Sequence, residues 1–289
     1  MQEVRYERPT TIAEATELLA QSNGITKILA GGTDVLVQMR INSQIPSLIL
    51  DVKHIPELRE LRIDGDGLLL GAAVPSVELG ESAEARKGYP GLVEGAEYIG
   101  SSQIQSRASV GGNLCNASPA ADTVPALFAL GAECRIAGPD GERTVSVEEF
   151  TTGVTTNCLQ KAELLVSIRI PDPAAESSSA YLRFTPRNEM DIAVVGAGAA
   201  ITLDKGGTCT AARLALGAVA TTAIMVPEAA DALVGSKIEE SDLAKVAELA
   251  SAASKPITDR RGTADFRRHV SGVLASRTVA AARDRAKAA

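Results

Sequence analysis

The chain has 289 residues and a formal net charge of -7, with 29 Lys and Arg against 36 Asp and Glu, 3% aromatic residues and no Trp. Nucleic-acid binding calls for a basic face and stacking platforms, and neither is present. The 45% hydrophobic content is enough to bury two globular units. The longest apolar run, Ile192 to Ile201, is about half the roughly twenty residues that cross a bilayer, and Met1-Gln2-Glu3-Val4-Arg5 has no signal-peptide core, so a cytoplasmic location is expected.

In chain order, Thr11 with Glu14 forms a capping box ahead of Ile12, Ala15, Leu18 and Leu19, which predicts a helix. A strand follows over Ile25 to Ala30 and runs into Ala30-Gly31-Gly32-Thr33-Asp34. Pro46 to Val52 reads as a strand. Leu61 to Gly71 reads as a hairpin around Asp64-Gly65-Asp66-Gly67. Val74 to Leu79 and Pro90 to Ile99 read as helices. Ala108-Ser109-Val110 reads as a short strand that ends in a second turn, Gly111-Gly112-Asn113, and continues into Ala117-Ser118-Pro119-Ala120-Ala121-Asp122. A helix is expected from Thr123, because Pro125 then falls at its third position, where a missing N–H costs nothing. Asp122 has two readings there: the N-cap of that helix, or a carboxylate that accepts a hydrogen bond from a ribose hydroxyl.

Glu133 to Val145 reads as a hairpin turning at Pro139-Asp140-Gly141, and Glu163 to Ile170 as a strand stopped by Pro171. Pro171-Asp172-Pro173-Ala174-Ala175-Glu176-Ser177-Ser178-Ser179 has a linker's composition. Strands near Tyr181 to Thr185, Asp191 to Leu203 and Cys209 to Leu216 then precede three helices, which makes this second part α+β. Within it, Val194-Val195-Gly196-Ala197-Gly198-Ala199-Ala200-Ile201 imitates a dinucleotide fingerprint, but Ile201 stands where close packing requires Gly or Ala. It reads as a strand whose small residues let another element approach.

The two glycine segments carry the chemistry. A side-chain-free turn exposes consecutive N–H groups that cradle a diphosphate. Each segment adds a hydroxyl (Thr33, Ser118) and a carboxylate (Asp34, Asp122), so two cradles point to one dinucleotide. The other possible chemistries are poorly supplied. The four cysteines, Cys115, Cys134, Cys158 and Cys209, have no metal-ligand spacing and read as small buried hydrophobes. The two histidines, His54 and His269, belong to no catalytic constellation, and there is no P-loop. The reactivity must therefore come from a cofactor.

These segments, with Met190-Asp191-Ile192-Ala193-Val194-Val195 and the later Asp259-Arg260-Arg261 and Phe266-Arg267-Arg268-His269, occur in an order that resembles the FAD-binding medium subunit of the molybdenum hydroxylases, the family of the carbon monoxide dehydrogenase and xanthine dehydrogenase flavoproteins. The resemblance implies an FAD-binding domain of the vanillyl-alcohol oxidase (PCMH) type over 1–173, with subdomains of about 1–55 and 56–173, and a smaller α+β domain over 174–289. It implies cofactor contacts at Leu29, Ala30, Gly31, Gly32, Thr33 and Asp34, at Val110, Gly111, Gly112 and Asn113, and at Ala117, Ser118 and Asp122. Asp191 and Ile192 would approach the isoalloxazine ring, with Ile192 covering one face. No catalytic residue and no metal ligand are expected in this chain. Some relatives carry a cysteine-bearing insertion for an extra iron–sulfur cluster, and the stretch from Arg40 to Ile49 is too short for one. The implied function is electron transfer by FAD within a heterotrimer, in which a small subunit holds [2Fe–2S] clusters and a large one the molybdopterin cofactor, the whole being a dimer of heterotrimers. The alternatives are a self-sufficient FAD-dependent oxidase of the vanillyl-alcohol oxidase superfamily and a non-enzymatic nucleotide-binding module.

Overall fold

A computed structural model of the chain describes residues 4–41, 45–188 and 190–289. Met1 to Glu3, and residues 42–44 of the stretch expected to lack an insertion, lie outside the described residues. The fold is α+β, as expected.

β1 (Arg5–Glu7), α1 (Ile12–Gln21), β2 (Thr26–Leu29), α2 (Val35–Ile41) and β3 (Leu48–Asp51) build the first unit, a parallel sheet in the order β1-β3-β2. Thr11 caps α1 by accepting from the Glu14 N–H at 3.2 Å, while the Glu14 carboxylate reaches the Thr10 N–H at 2.8 Å, one residue before the position a capping box uses.

After β3 come β4 (Leu61–Asp64), β5 (Gly67–Gly71) and five helices: α3 (Ser76–Glu81), α4 (Ala83–Gly88), α5 (Pro90–Glu97), α6 (Ser102–Gln105) and α7 (Val110–Asn116). Next are α8 (Thr123–Ala129), β6 (Glu133–Gly138), β7 (Gly141–Ser146), α9 (Val147–Phe150), the short pair β8 (Thr151–Gly153) and β9 (Thr156–Asn157), and β10 (Leu164–Ile170). They form an antiparallel sheet in the order β4-β5-β10-β6-β7. Both predicted hairpins are present, the second with Gly141 at φ +115°. Leu68, Leu70, Leu114, Leu127, Ile136 and Ile168 centre the first core.

The last part is an antiparallel sheet, β11 (Ser177–Phe184), β12 (Val195–Leu203), β13 (Cys209–Gly217) and β14 (Ile224–Met225), in chain order. It is followed by α10 (Pro227–Asp231), α11 (Glu240–Ala253) and α12 (Ala264–Ala286), the three expected helices. Val195, Ile201, Leu214, Leu216, Val246 and Val279 lie in its core.

Four local expectations are corrected. Ala108-Ser109-Val110 is not a strand. Ser109 makes a single bridge with Pro75 and is the N-cap of α7, accepting from the Gly112 N–H at 3.0 Å, so Gly111 and Gly112 lie in the first turn of a helix. The presumed linker is partly strand: β11 begins at Ser177, and Ser179 is buried with its Oγ accepting from the Gly91 N–H at 3.1 Å. The strand predicted from Asp191 begins only at Val195. The cysteines divide, with Cys134 and Cys209 buried but Cys115 and Cys158 partly exposed.

α8 is buried on every side, which its apolar sequence permits. It lies on β12 and β13, where Gly198 is so close that a Cβ there would stand 2.4 Å from the Pro125 carbonyl oxygen. This is the close approach expected of the glycine-alanine strand.

Candidate functional site

The two glycine segments converge on one cleft of about 370 Å³. β2 delivers the first segment to its edge and α7 begins at the second. They touch back to back, since a Cβ on Gly31 would stand 1.9 Å from the Arg107 carbonyl oxygen. Gly32 has φ +80°, a conformation that excludes most side chains. A Cβ on Gly111 would stand 2.6 Å from the Ala72 Cα, so its missing side chain serves packing. Gly112 differs, because a Cβ there would meet only the Ser109 Oγ, at 3.0 Å, leaving an open face in the cleft lining.

The hydrogen bonding of the first loop leaves a run of its N–H groups unclaimed. Among the described residues, no acceptor serves the N–H groups of Gly31, Gly32, Thr33 and Asp34, while the carbonyls of Gly32 and Asp34 receive the N–H groups of Leu36 and Gln38.

Of the predicted residues, Ala30 to Asp34 and Gly111 to Asn113 line the cleft. The others do not. Leu29 supports Gly32 from below, Val110 is buried, and Ala117 closes α7 with φ +49°. The Ser118 Oγ accepts from the Ala120 N–H at 3.3 Å, a local turn. Asp191 and Ile192 lie on the segment before β12, with Ile192 half-exposed.

Asp122 is not the side-chain cap of α8. Its carboxylate is buried and turned toward the last sheet, where Oδ1 accepts from the Tyr181 hydroxyl at 2.7 Å and Oδ2 from Arg183 Nη1 at 2.9 Å. Burial pushes this carboxyl up to about 6, against the lowering pull of Arg183 and the Tyr181 hydroxyl.

Sequence reasoning missed Lys27, Gln38 and Asn116, which also line the cleft. Lys27 Nζ donates to Gln38 Oε1 at 3.2 Å, and Gln38 Nε2 donates to Asn116 Oδ1 at 3.0 Å, a relay from β2 through α2 to the end of α7. Lys27 is the basic side chain of the lining and Asp34 the acidic one. The Asp34 carboxyl is raised by burial. Cys115 also lines the cleft, and desolvation of its sulfur, with Cys158 nearby, pushes its thiol up to about 12. The alternation of side chains along a strand could have flagged Lys27 as sharing a face with Leu29, but not which face meets a cleft.

No cluster of three or more metal-ligating side chains occurs among the described residues, and no helix among them is long and apolar enough to cross a membrane. Residues 2–173 match the family described as the FAD binding domain in molybdopterin dehydrogenase, and residues 180–282 match the CO dehydrogenase flavoprotein C-terminal domain. The carbon monoxide dehydrogenase medium chain of Afipia carboxidovorans is 32% identical, over 98% of this chain and 97% of its own. A putative xanthine dehydrogenase FAD-binding subunit of Escherichia coli is 31% identical, over 96% and 95%. Among solved structures, carbon monoxide dehydrogenase from Hydrogenophaga pseudoflava, in a form lacking the Mo-pyranopterin moiety of its cofactor, superposes with a TM-score of 0.93 at 31% identity, over 98% of each chain. With both family matches in chain order and the two glycine segments meeting in one cleft, the chain belongs to the FAD-binding oxidoreductase subunits of the molybdenum-containing dehydrogenases.

Proposed function

We propose that the chain is the electron-transfer subunit of a heterotrimeric molybdenum hydroxylase, working with a small [2Fe–2S] subunit and a large molybdopterin subunit in a cytoplasmic dimer of heterotrimers. The observation that carries the cofactor's placement is the convergence of the two glycine segments on a single cleft, with four consecutive N–H groups unclaimed by the described residues. When bound, FAD supplies the redox chemistry, taking electrons from the partner's clusters and giving them to an external acceptor.

The residues present fit such a group. Gly31 to Asp34 offer N–H donors to the diphosphate, and the open face of Gly112 lets it approach the backbone of α7. Lys27 carries a positive charge in the lining and, among the described residues, has one hydrogen-bond partner, a neutral amide, which leaves donors for a phosphate oxygen. Thr33 offers a hydroxyl. Asp191 and Ile192 form the ring side of the site, Ile192 as an apolar cover. The division into 1–173 and 174–289 then separates a nucleotide-holding part from one that presents this cover.

The test is reconstitution. The protein purified with its native partners is expected to contain about one equivalent of noncovalent FAD, released intact by acid, and to co-purify with a cysteine-rich small subunit and a molybdenum-containing large one. Release of FMN alone would remove the diphosphate assignment. Substrate-dependent flavin reduction by this polypeptide on its own would favour the free-standing oxidase.

A further inference from the structure

Two buried arginines from different elements grip the short segment 191–194 at its two ends. Arg183 on β11 donates from Nη1 to the Asp191 carbonyl at 3.2 Å and to Asp122 Oδ2 at 2.9 Å. Arg267 on α12 donates from Nη1 to the Val194 carbonyl at 3.0 Å and the Ala218 carbonyl at 3.3 Å, and from Nη2 to Asp259 Oδ1 at 2.7 Å. Each arginine side chain is 5% exposed, and Arg267 leaves its Nε without a partner among the described residues. Burying a guanidinium is costly even when it is paired. Two of them directed at the carbonyls of one irregular segment mean that its backbone position is under strong constraint.

The segment is also fixed between the two grips. Asp191 Oδ1 accepts from the Ile192 N–H at 2.9 Å, its Oδ2 accepts from the Arg187 N–H at 3.2 Å, and the Val194 N–H donates to the Phe184 carbonyl at 2.9 Å. Phe184 and Phe266, the chain neighbours of the two arginines, meet edge to face at 5.6 Å. What this mount displays is the Ile192 side chain, 50% exposed. The mount is tied to the cleft, because the Arg183 guanidinium lies 4.5 Å from the Tyr98 ring centroid, and the next residue, Ile99, lines the cleft.

We propose that Arg183 is a positioning residue that, with Arg267 holding the far end, fixes the backbone of residues 191–194 and so sets the seat of Ile192 against the flavin ring. This rests on the FAD reading above. Asp122 then serves as the buried counter-charge that keeps the Arg183 guanidinium aimed at the segment, rather than as a ribose ligand.

The test compares wild type, Arg183→Met and Arg183→Lys, each purified with its native partners and FAD. Arg183→Met is expected to raise amide hydrogen exchange at Ile192 and Ala193 about tenfold and to alter the visible circular dichroism of the flavin, with FAD stoichiometry retained. Arg183→Lys is expected to restore most of both, since a single nitrogen of the arginine makes both bonds. Should Arg183→Met fail to fold, Arg183→Gln keeps a polar side chain in the buried site but is too short to bring a donor to the position of Nη1, which serves both acceptors, and is expected to give the same two changes. Unchanged exchange at 192–193 would overturn the proposal, and so would faster exchange with an unchanged flavin spectrum. FAD stoichiometry of the wild type judges the cofactor reading by itself, and the differences between variant and wild type judge the positioning role.

Discussion

Four glycines in two similar motifs do different work, and substitutions should separate them. At Gly31 and Gly111 the backbone of another segment takes the place of a side chain, since a Cβ would stand 1.9 Å from the Arg107 carbonyl oxygen or 2.6 Å from the Ala72 Cα, so Ala at either position is expected to lower expression and thermal stability. Gly112→Val meets only its own cap and should leave a folded protein without flavin, measured as the absorbance ratio of bound FAD to protein. Full occupancy in that variant would mean the diphosphate lies elsewhere. Lys27→Met is expected to weaken FAD binding about tenfold, the loss of one charge-assisted hydrogen bond, and to reduce the salt dependence of affinity in a fluorescence titration. Gly32 was legible because few residues other than glycine suit such a turn. Lys27 was not, since its importance comes from which face of β2 meets α2 and α7, a tertiary fact.

Among the elements, α7 shows how a strong local signal was misread. Val110 followed by two glycines has poor helix propensity, glycine costing about 1 kcal/mol each relative to alanine, and so it resembles a strand ending in a turn. The helix nevertheless forms because Ser109 caps it and Gly111 lets it seat on Ala72. The informative signal was Ser109 three residues before Gly112, the spacing of an N-cap to its N3 amide. Ser109→Ala is expected to cost about 1 kcal/mol, seen as a fall of roughly 2–4 °C in the melting temperature of a chain this size. The apolar periodicity of α1 and the proline-aspartate-glycine turn of β6–β7 were readable because local physics decides them. Asp122 was not, because its partners Tyr181 and Arg183 lie about sixty residues further along the chain.

At the scale of the whole molecule, the N-terminal and C-terminal parts are bound through ionisable groups. Asp122 pairs with Tyr181 and Arg183, and Glu94 accepts from the Tyr181 N–H at 2.8 Å and from Arg285 near the end of α12. Because the folded Asp122 carboxyl titrates near 6 rather than 3.8, the folded state holds a proton across that window which the unfolded chain has lost. This group's contribution to stability therefore falls as pH rises from about 4 to 6. Asp122→Asn has no such titration, so the melting temperature of wild type relative to the variant is expected to rise as the pH is lowered from 6 to 4. A difference that stays flat or shrinks would contradict the assignment.

Alongside these charges, the seam has a mechanical element. The Pro125 carbonyl seats over Gly198, and the Pro125 ring would lie 2.8 Å from a Cβ on Gly217, so one proline, by its carbonyl and its ring, is keyed against two adjacent strands. A key of that kind fixes translation and rotation together, with no dependence on ionic strength. Small-angle scattering profiles at about 0.1 M and 1 M salt should accordingly superimpose, although the Debye length falls from roughly 10 to 3 Å. Gly198→Val, by displacing that key, should let the two parts drift apart in the same measurement.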